Sequence, residues 1–360
     1  QDHMVKKNKA IKFKKDPYII AEIGINHNGY LNLAKKMIFE SKKAGADAVK
    51  FQKRNASDLV NNLSDLGRST GYLSKNEKDV NHKSKKFGTW VYPDLRLELS
   101  DKEYLILKKY CQKLKIDFIV TPWDENSVKS LMKIGVNYFK IASVDANNYH
   151  FCDFLASKKK PTIVSTGMCT YEEILKTQKI FKKYQTPHIF LHCTSAYPSD
   201  EKDKNLRCIP KLRKKLKEQV GFSGHGTGIA GAVGATALGA RVIEKHVTLN
   251  KKMLGPDHSA SLEFNTFKLM VDTCRKVHTS LGSDKKEFLK SEKVLHNVLV
   301  RKFVVRKKIK KGQKLNKLNI KTALTYKKDG ILPKYYYKIL NKKSKRDLKV
   351  GQILNYSCFK

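Results

Sequence analysis

Two histidines each follow a short apolar run: His225 after Val220-Gly-Phe-Ser-Gly224, and His246 after Val242-Ile-Glu-Lys245. The stretch between them, Thr227 to Gly239, is rich in Ala and Gly, as a helix packed tightly on a sheet would be. Two imidazoles at the ends of neighbouring parallel strands face one mouth and can share a divalent metal. Either histidine alone is more simply a hydrogen-bonded side chain in a packed loop. The pair, followed by the polar stretch Gly255-Pro-Asp-His-Ser-Ala-Ser-Leu262, favours the metal. Lys50 lies in the apolar run Ala48-Val-Lys-Phe-Gln52, and Lys140 in Tyr138-Phe-Lys-Ile-Ala-Ser143. A desolvated, unpaired ammonium is costly, so each lysine requires an anionic partner. Hydroxyls end similar runs at Thr121, Ser143, Ser165, Thr194, Ser195 and Ser223. Lysines with hydroxyls and glycine-flanked amides describe a site for a phosphorylated or carboxylated anion. Glu22 and Asp257 can bind sugar hydroxyls or move protons. An anion, a metal and a polyol pocket together point to carbon–carbon bond formation on a sugar. From the residues alone the reading stops at a lyase, aldolase or transferase.

Positioning these groups takes eight strand–helix units. The strand-like runs begin at Pro17, Ala48, Asp117, Tyr138, Pro161, His188, Val220 and Ala240. Helical spacing follows most of them, as in Leu31 to Ala44, and Ser100-Asp-Lys-Glu103 reads as a capping box opening a helix. Near-continuous apolar strands alternating with helices fit a parallel sheet covered on both faces. Eight units over roughly 250 residues predict a (β/α)₈ TIM barrel, which keeps its active site at the C-terminal ends of its strands. The polar residues, Gln52 among them, gather at those ends.

The 360-residue chain suits a barrel with a small appendage. Gln1-Asp-His-Met4 reads as the remnant of an expression tag, with no secretory leader, so residues 1–16 are set apart. The barrel is expected over 17–281, a linker over 282–297, and a mostly-β domain over 298–360. Two similar turns, Ile309-Lys-Lys-Gly-Gln-Lys-Leu315 and Leu348-Lys-Val-Gly-Gln-Ile-Leu354, mark this last domain. Residues 54–98 form a polar insertion carrying Trp90 and Tyr92, expected to cover the barrel mouth. The absence of any run of about 18 apolar residues argues against a membrane span. Seven scattered cysteines without a Cys-x-x-Cys pair fit a reducing, cytoplasmic setting. The net charge of +41 raises nucleic-acid binding as a possibility, but the excess is Lys spread over helix faces, with no basic-aromatic module. A non-catalytic carbohydrate-binding role leaves the strand-end residues unexplained.

Several stretches resemble the sialic acid synthase family. They include Ile20-Ala-Glu-Ile-Gly-Ile-Asn-His-Asn-Gly29, Val49-Lys-Phe-Gln52, Phe139-Lys-Ile-Ala-Ser143 and Ser165-Thr-Gly-Met168. His192-Cys-Thr-Ser-Ala-Tyr-Pro198, Phe222-Ser-Gly-His225, Ile243-Glu-Lys-His246 and Gly255-Pro-Asp-His-Ser-Ala-Ser-Leu-Glu263 continue the match, and the C-terminal region resembles the antifreeze-like (SAF) domain. The resemblance implies condensation of phosphoenolpyruvate with an N-acylated mannosamine-type sugar, giving a nine-carbon 2-keto sugar acid and phosphate. The wording leans toward the N-acetylneuraminate branch, with legionaminate, pseudaminate and 9-phosphate-forming synthases as alternatives. It implies that His225 and His246 hold a divalent metal, manganese first, with magnesium or cobalt as alternatives. Lys50, Thr121, Lys140, Ser143, Ser165, Ser195 and Ser223 are implied to hold phosphoenolpyruvate, and Glu22, Gln52, Tyr197 and Asp257 the amino sugar. Glu22 and Asp145 are alternatives for the base that activates water. The resemblance also implies a domain-swapped homodimer, with Lys328 near the position of an arginine that the family sends into the partner's site.

Overall fold

The computed structural model describes residues 11, 13, 16–59, 97–325 and 329–359. Gln1 to Met4, Trp90, Tyr92 and Lys328 lie outside them. The chain divides into two compact units, residues 1–282 and 283–360.

The first unit is a closed parallel barrel. Its strands are β1 (Tyr18–Gly24), β2 (Ala48–Lys53), β3 (Asp117–Pro122), β4 (Tyr138–Ile141), β5 (Thr162–Ser165), β6 (His188–Cys193), β7 (Val220–Gly224) and β8 (Val242–Thr248). They pair in sequence order, and β1 closes on β8. Helices α1 (Leu31–Lys43), α3 (Asp101–Lys113), α4 (Glu125–Ile134), α5 (Tyr149–Ser157), α6 (Tyr171–Lys183), α7 (Cys208–Leu216), α8 (Ala230–Ala237) and α9 (Phe264–Leu281) follow the strands in turn. A short α2 (Ala56–Leu59) lies after β2, and β9 (Leu262–Glu263) pairs with β8. The capping box expected at Ser100 is present: its hydroxyl accepts from Glu103 N–H and the Glu103 carboxylate accepts from Ser100 N–H. Thr170 and Glu173 build a second one ahead of α6. Strands β4 and β5 are shorter than the sequence suggests, because Ser143 already belongs to a 3₁₀ turn and Gly167 lies beyond the last paired residue.

Side-chain alternation along the strands explains both core and site. Ile19, Ala21, Ile23, Val49, Phe51, Phe118 and Val120 pack in the main apolar cluster, which the helices share. The opposite parity, Tyr18, Ile20, Ala48, Ile119, Ile163, Ile189, Leu191 and Val242, forms a second cluster inside the barrel. Continuing that inward parity two residues toward the C-terminal ends gives Glu22, Lys50, Thr121, Ser165, Cys193 and Glu244. The barrel interior is therefore apolar at one end and polar at the other. Gly221 permits this closure: a Cβ there would stand 2.6 Å from the Val242 carbonyl oxygen.

The second unit contains α10 (Lys293–Leu299), an antiparallel pair β10 (Arg301–Val305) and β11 (Ile320–Leu324), and α11 (Tyr336–Ile339). Much of its remaining β structure consists of single bridges. The two similar turns pair with each other, Ile309 N–H donating to Leu348 O at 3.1 Å and Leu348 N–H to Ile309 O at 2.8 Å. Gly312 and Gly351 take matching left-handed φ values of 81° and 80° within these turns. Phe303, Val305, Ile309, Ile320, Leu348 and Leu354 are the centre of a separate core.

Candidate active site

The polar end of the barrel encloses a cavity of about 200 Å³. Twelve of the residues singled out above line it: Glu22, Lys50, Gln52, Thr121, Lys140, Ser143, Ser165, Ser195, Tyr197, Ser223, His225 and His246. Asp257 abuts it, with Oδ2 3.8 Å from His246 Nδ1. Asp145 does not line the cavity. It closes the 3₁₀ turn after β4, where its carboxylate accepts from Asn148 Nδ2 at 3.0 Å.

The lysines have partners that the fold itself supplies. Lys50 Nζ lies 2.9 Å from Glu22 Oε2 and 3.7 Å from Glu244 Oε1, and it donates to Thr121 Oγ1 at 3.2 Å. Lys140 Nζ donates to Ser165 Oγ at 2.7 Å and lies 3.5 Å from the same Glu244 oxygen. Glu244 also accepts from Ser223 Oγ at 3.1 Å. Two ammoniums and two carboxylates thus alternate at the base of the cavity. Burial opposes ionisation of both acids. Lys140 and Lys50 together hold Glu244 below the usual carboxylate range, whereas for Glu22 burial outweighs Lys50 and, with Glu244 nearby, raises its pKa. Glu22 is accordingly the carboxylate more ready to take a proton. Burial lowers the pKa of Lys140, while the paired carboxylates raise that of Lys50 despite its burial.

Next to Lys140 the chain offers small groups. Gly167 N–H donates to Ser143 Oγ at 3.0 Å, and a Cβ at Gly167 would collide with the Ser195 hydroxyl. The space in front of Ser143, Ser165 and Ser195 exists because residue 167 has no side chain. This is a cradle of hydroxyl donors beside an ammonium, suited to phosphate or carboxylate oxygens.

The two imidazole rings lie 5.5 Å apart, centre to centre. His225 Nδ1 donates to Thr194 O at 2.8 Å, and Nε2 faces the Tyr197 hydroxyl at 2.9 Å. Burial opposes a charge on this ring, but Cys193 and the Thr194 carbonyl outweigh it and raise its pKa. His246 is buried, and desolvation, with cationic neighbours, holds it well below its ordinary pKa, in the neutral form that metals bind. Its Nδ1 has no hydrogen-bond partner. One imidazole held neutral with an orphaned nitrogen, and a second that ligates once it sheds its proton, fit a divalent cation completed by substrate or water oxygens. Among the described residues no group of three His, Cys, Asp or Glu side chains is placed to hold one.

Glu244, Trp123, Val144 and Met168 line the cavity but do not stand out in the sequence. Glu244 shares the inward parity of His246 two residues later, and that spacing is the signal that identifies it. Cys193 touches the site from β6, its Sγ 3.8 Å from His225 Nδ1 and accepting from Ser143 Oγ at 3.4 Å. Burial would raise this thiol, but His225 beside it pulls it down to about 7.

Behind the site His258 is fully buried, with Nδ1 2.7 Å from Thr248 Oγ1 and Nε2 3.3 Å from Asn28 Oδ1. Burial depresses it to about 4, against 6.5 ordinarily. Above pH 6.5 neither the folded nor the unfolded ring carries a proton. Below it the unfolded ring takes one that the folded ring refuses, so stability falls until about pH 4. This ring accounts for about 3 kcal/mol of that loss. Urea melts at pH 7.5 and 4.5 should show a drop in unfolding free energy that shrinks by about this amount in His258→Asn. An unchanged difference would refute the assignment.

Known proteins share this architecture. The NeuB family profile matches residues 37–286, and the SAF domain profile matches residues 300–360. A pseudaminic acid synthase from Campylobacter jejuni is 37% identical over 349 residues, covering 96% of this chain and 97% of that one. The human N-acetylneuraminate-9-phosphate synthase is 36% identical over 327 residues, covering 91% and 88%. Among solved structures, the N-acetylneuraminic acid synthetase of Leptospira borgpetersenii, in complex with citrate, superposes with a TM-score of 0.68 at 34% identity. That superposition covers 81% of this chain and 98% of the other. Taken with the barrel and the residues at its mouth, these matches place the chain in the NeuB family, with a C-terminal SAF domain.

Proposed function

We propose that the protein condenses phosphoenolpyruvate with the open-chain aldehyde of an N-acylated, mannosamine-type amino sugar, releasing phosphate and a nine-carbon 2-keto sugar acid. The observation that carries this reading is the union, in one cavity, of the Lys140 cradle with the His225–His246 pair and the Glu22–Gln52 wall. Lys50 and Lys140 draw the anionic groups of phosphoenolpyruvate toward the hydroxyls of Thr121, Ser143, Ser165, Ser195 and Ser223. Gln52, Tyr197 and Asp257 orient the sugar hydroxyls. A divalent cation on His225 and His246, manganese first among the candidates, would supply Lewis acidity toward the aldehyde oxygen. Carbon 3 of phosphoenolpyruvate forms the new bond to the aldehyde carbon, water adds at carbon 2, and the carbon–oxygen bond to phosphate breaks. Glu22 takes the proton from that water. It lines the cavity, whereas Asp145, whose pKa burial likewise raises, accepts from Asn148 in its own loop. The SAF unit completes the site of a second copy in a homodimer. Phosphoenolpyruvate carrying ¹⁸O at the bridging position tests the route. The label is expected in released phosphate, and its retention in the sugar acid would exclude this sequence of bonds.

The enzyme reading explains the cavity better than a carbohydrate-binding module does, since binding alone requires neither the buried lysines nor the histidine pair. Among the described residues, no helix is long and apolar enough to cross a membrane.

A further inference from the structure

One wall of the cavity is tied to an arginine that the reaction scheme does not use. Arg54 follows β2 directly, and its side chain is buried. Its Nη1 donates to Glu98 Oε1 at 2.9 Å, and its backbone N–H donates to Glu98 Oε2 at 3.1 Å. Its Nη2 donates to Gln52 Oε1. Gln52 Nε2 in turn donates to Glu22 Oε1 at 2.9 Å, while Glu22 Oε2 faces Lys50. The guanidinium carbon lies 4.8 Å from the ring of Trp123, which lines the cavity. A continuous chain of hydrogen bonds therefore runs from Glu98 through Arg54 and Gln52 to Glu22.

A glutamine amide has two orientations of nearly equal shape and opposite hydrogen-bond polarity. A guanidinium has donors only and an ionised carboxylate acceptors only, so Arg54 on one side and Glu22 on the other permit just one of them. Reversal would set N–H against N–H at Arg54 and oxygen against oxygen at Glu22. Gln52 alone could turn; Arg54 prevents it, and Glu98 prevents Arg54 from leaving. The geometry points to Arg54, clamped by Glu98, as a positioning residue for the acceptor. It fixes the polarity of the Gln52–Glu22 wall, and with it the hydroxyl pattern that the wall accepts. This rests on the reading of Glu22 and Gln52 as the sugar side of the cavity. Lysine cannot replace the arginine, because a single ammonium lacks the planar fork that reaches Glu98 and Gln52 together.

The test uses the full-length, metal-loaded enzyme with N-acetylmannosamine and its 6-phosphate as acceptor probes. Arg54→Met should raise the acceptor KM by about tenfold or more, the usual scale for losing a charged hydrogen bond. The phosphoenolpyruvate KM should stay within about threefold, as should phosphoenolpyruvate binding measured calorimetrically without acceptor. Arg54→Lys should remain impaired toward the acceptor. Glu98→Gln should show a smaller shift in the same direction. These two variants carry the comparison if Arg54→Met does not fold. A parallel rise in both KM values, or no rise in either, would overturn the assignment while leaving the condensation intact. A wild-type enzyme that releases no phosphate with any amino sugar would overturn the parent reading, and this inference with it.

Discussion

Replacement of His225 by alanine is expected to abolish divalent-metal binding and lower turnover by about 10³-fold or more, leaving the barrel folded. The structure gives the reason. Two imidazoles converge at the mouth, and among the described residues no group of three His, Cys, Asp or Glu side chains is placed to hold an ion without them. Loss of either imidazole leaves a single donor. The ring contributes packing through Tyr197, 4.1 Å away between centres, so a modest loss of thermal stability should accompany the change. Manganese titration followed by paramagnetic resonance reads the binding, and circular dichroism reads the fold. Full turnover by wild-type protein shown to be metal-free would contradict the role given to the pair.

Lys140→Met is expected to lower kcat/KM for phosphoenolpyruvate by about 10²-fold or more, through loss of a buried ammonium beside the hydroxyl cradle. Its effect on stability should be smaller. Glu244 keeps Lys50 at 3.7 Å and the Ser223 hydroxyl at 3.1 Å, so the carboxylate is not stranded. Lys50→Met is the harsher change to the fold, because it removes the 2.9 Å partner of fully buried Glu22. Calorimetric binding of phosphoenolpyruvate together with thermal melts separates the two effects. If Lys140→Met binds the anion normally but melts early, Lys140 belongs to the fold.

The barrel can be read from the chain because it is periodic. Continuous apolar runs separated by helical spacing specify eight units, and the parity of each strand decides which side chains reach the interior. The same parity yields most of the cavity. Lys50 and Lys140 stand out because they interrupt apolar runs. Glu244 escapes notice although it stands equally deep, because it is read as part of the approach to His246 and not as an inward position of its own. Asp145 enters the candidate set through the family resemblance, two residues after Ser143. The 3₁₀ turn between them rotates its carboxylate toward Asn148, which linear spacing does not reveal. Lysines within apolar runs need a partner, but the sequence pattern does not show that Glu22 and Glu244 provide it, since those contacts cross between β1, β2, β4 and β8. Arg54 and Glu98 are 44 positions apart, and their ion pair has no local signature. In the second unit the turns at Gly312 and Gly351 are visible as similar sequences, while their mutual pairing is a tertiary result.

In the proposed reaction the Lys140 cradle and the Glu22–Gln52 wall bring phosphoenolpyruvate and an amino-sugar aldehyde together in one cavity. Its most direct measurement is phosphate release from phosphoenolpyruvate, with a panel of free, 6-phosphorylated and diacetamido acceptors, and mass analysis of the products. Release is expected only when an N-acylated sugar is present, in equal amount with a product that retains all three phosphoenolpyruvate carbons. Release that proceeds equally without acceptor, or no release with any member of the panel in the presence of manganese, would contradict it.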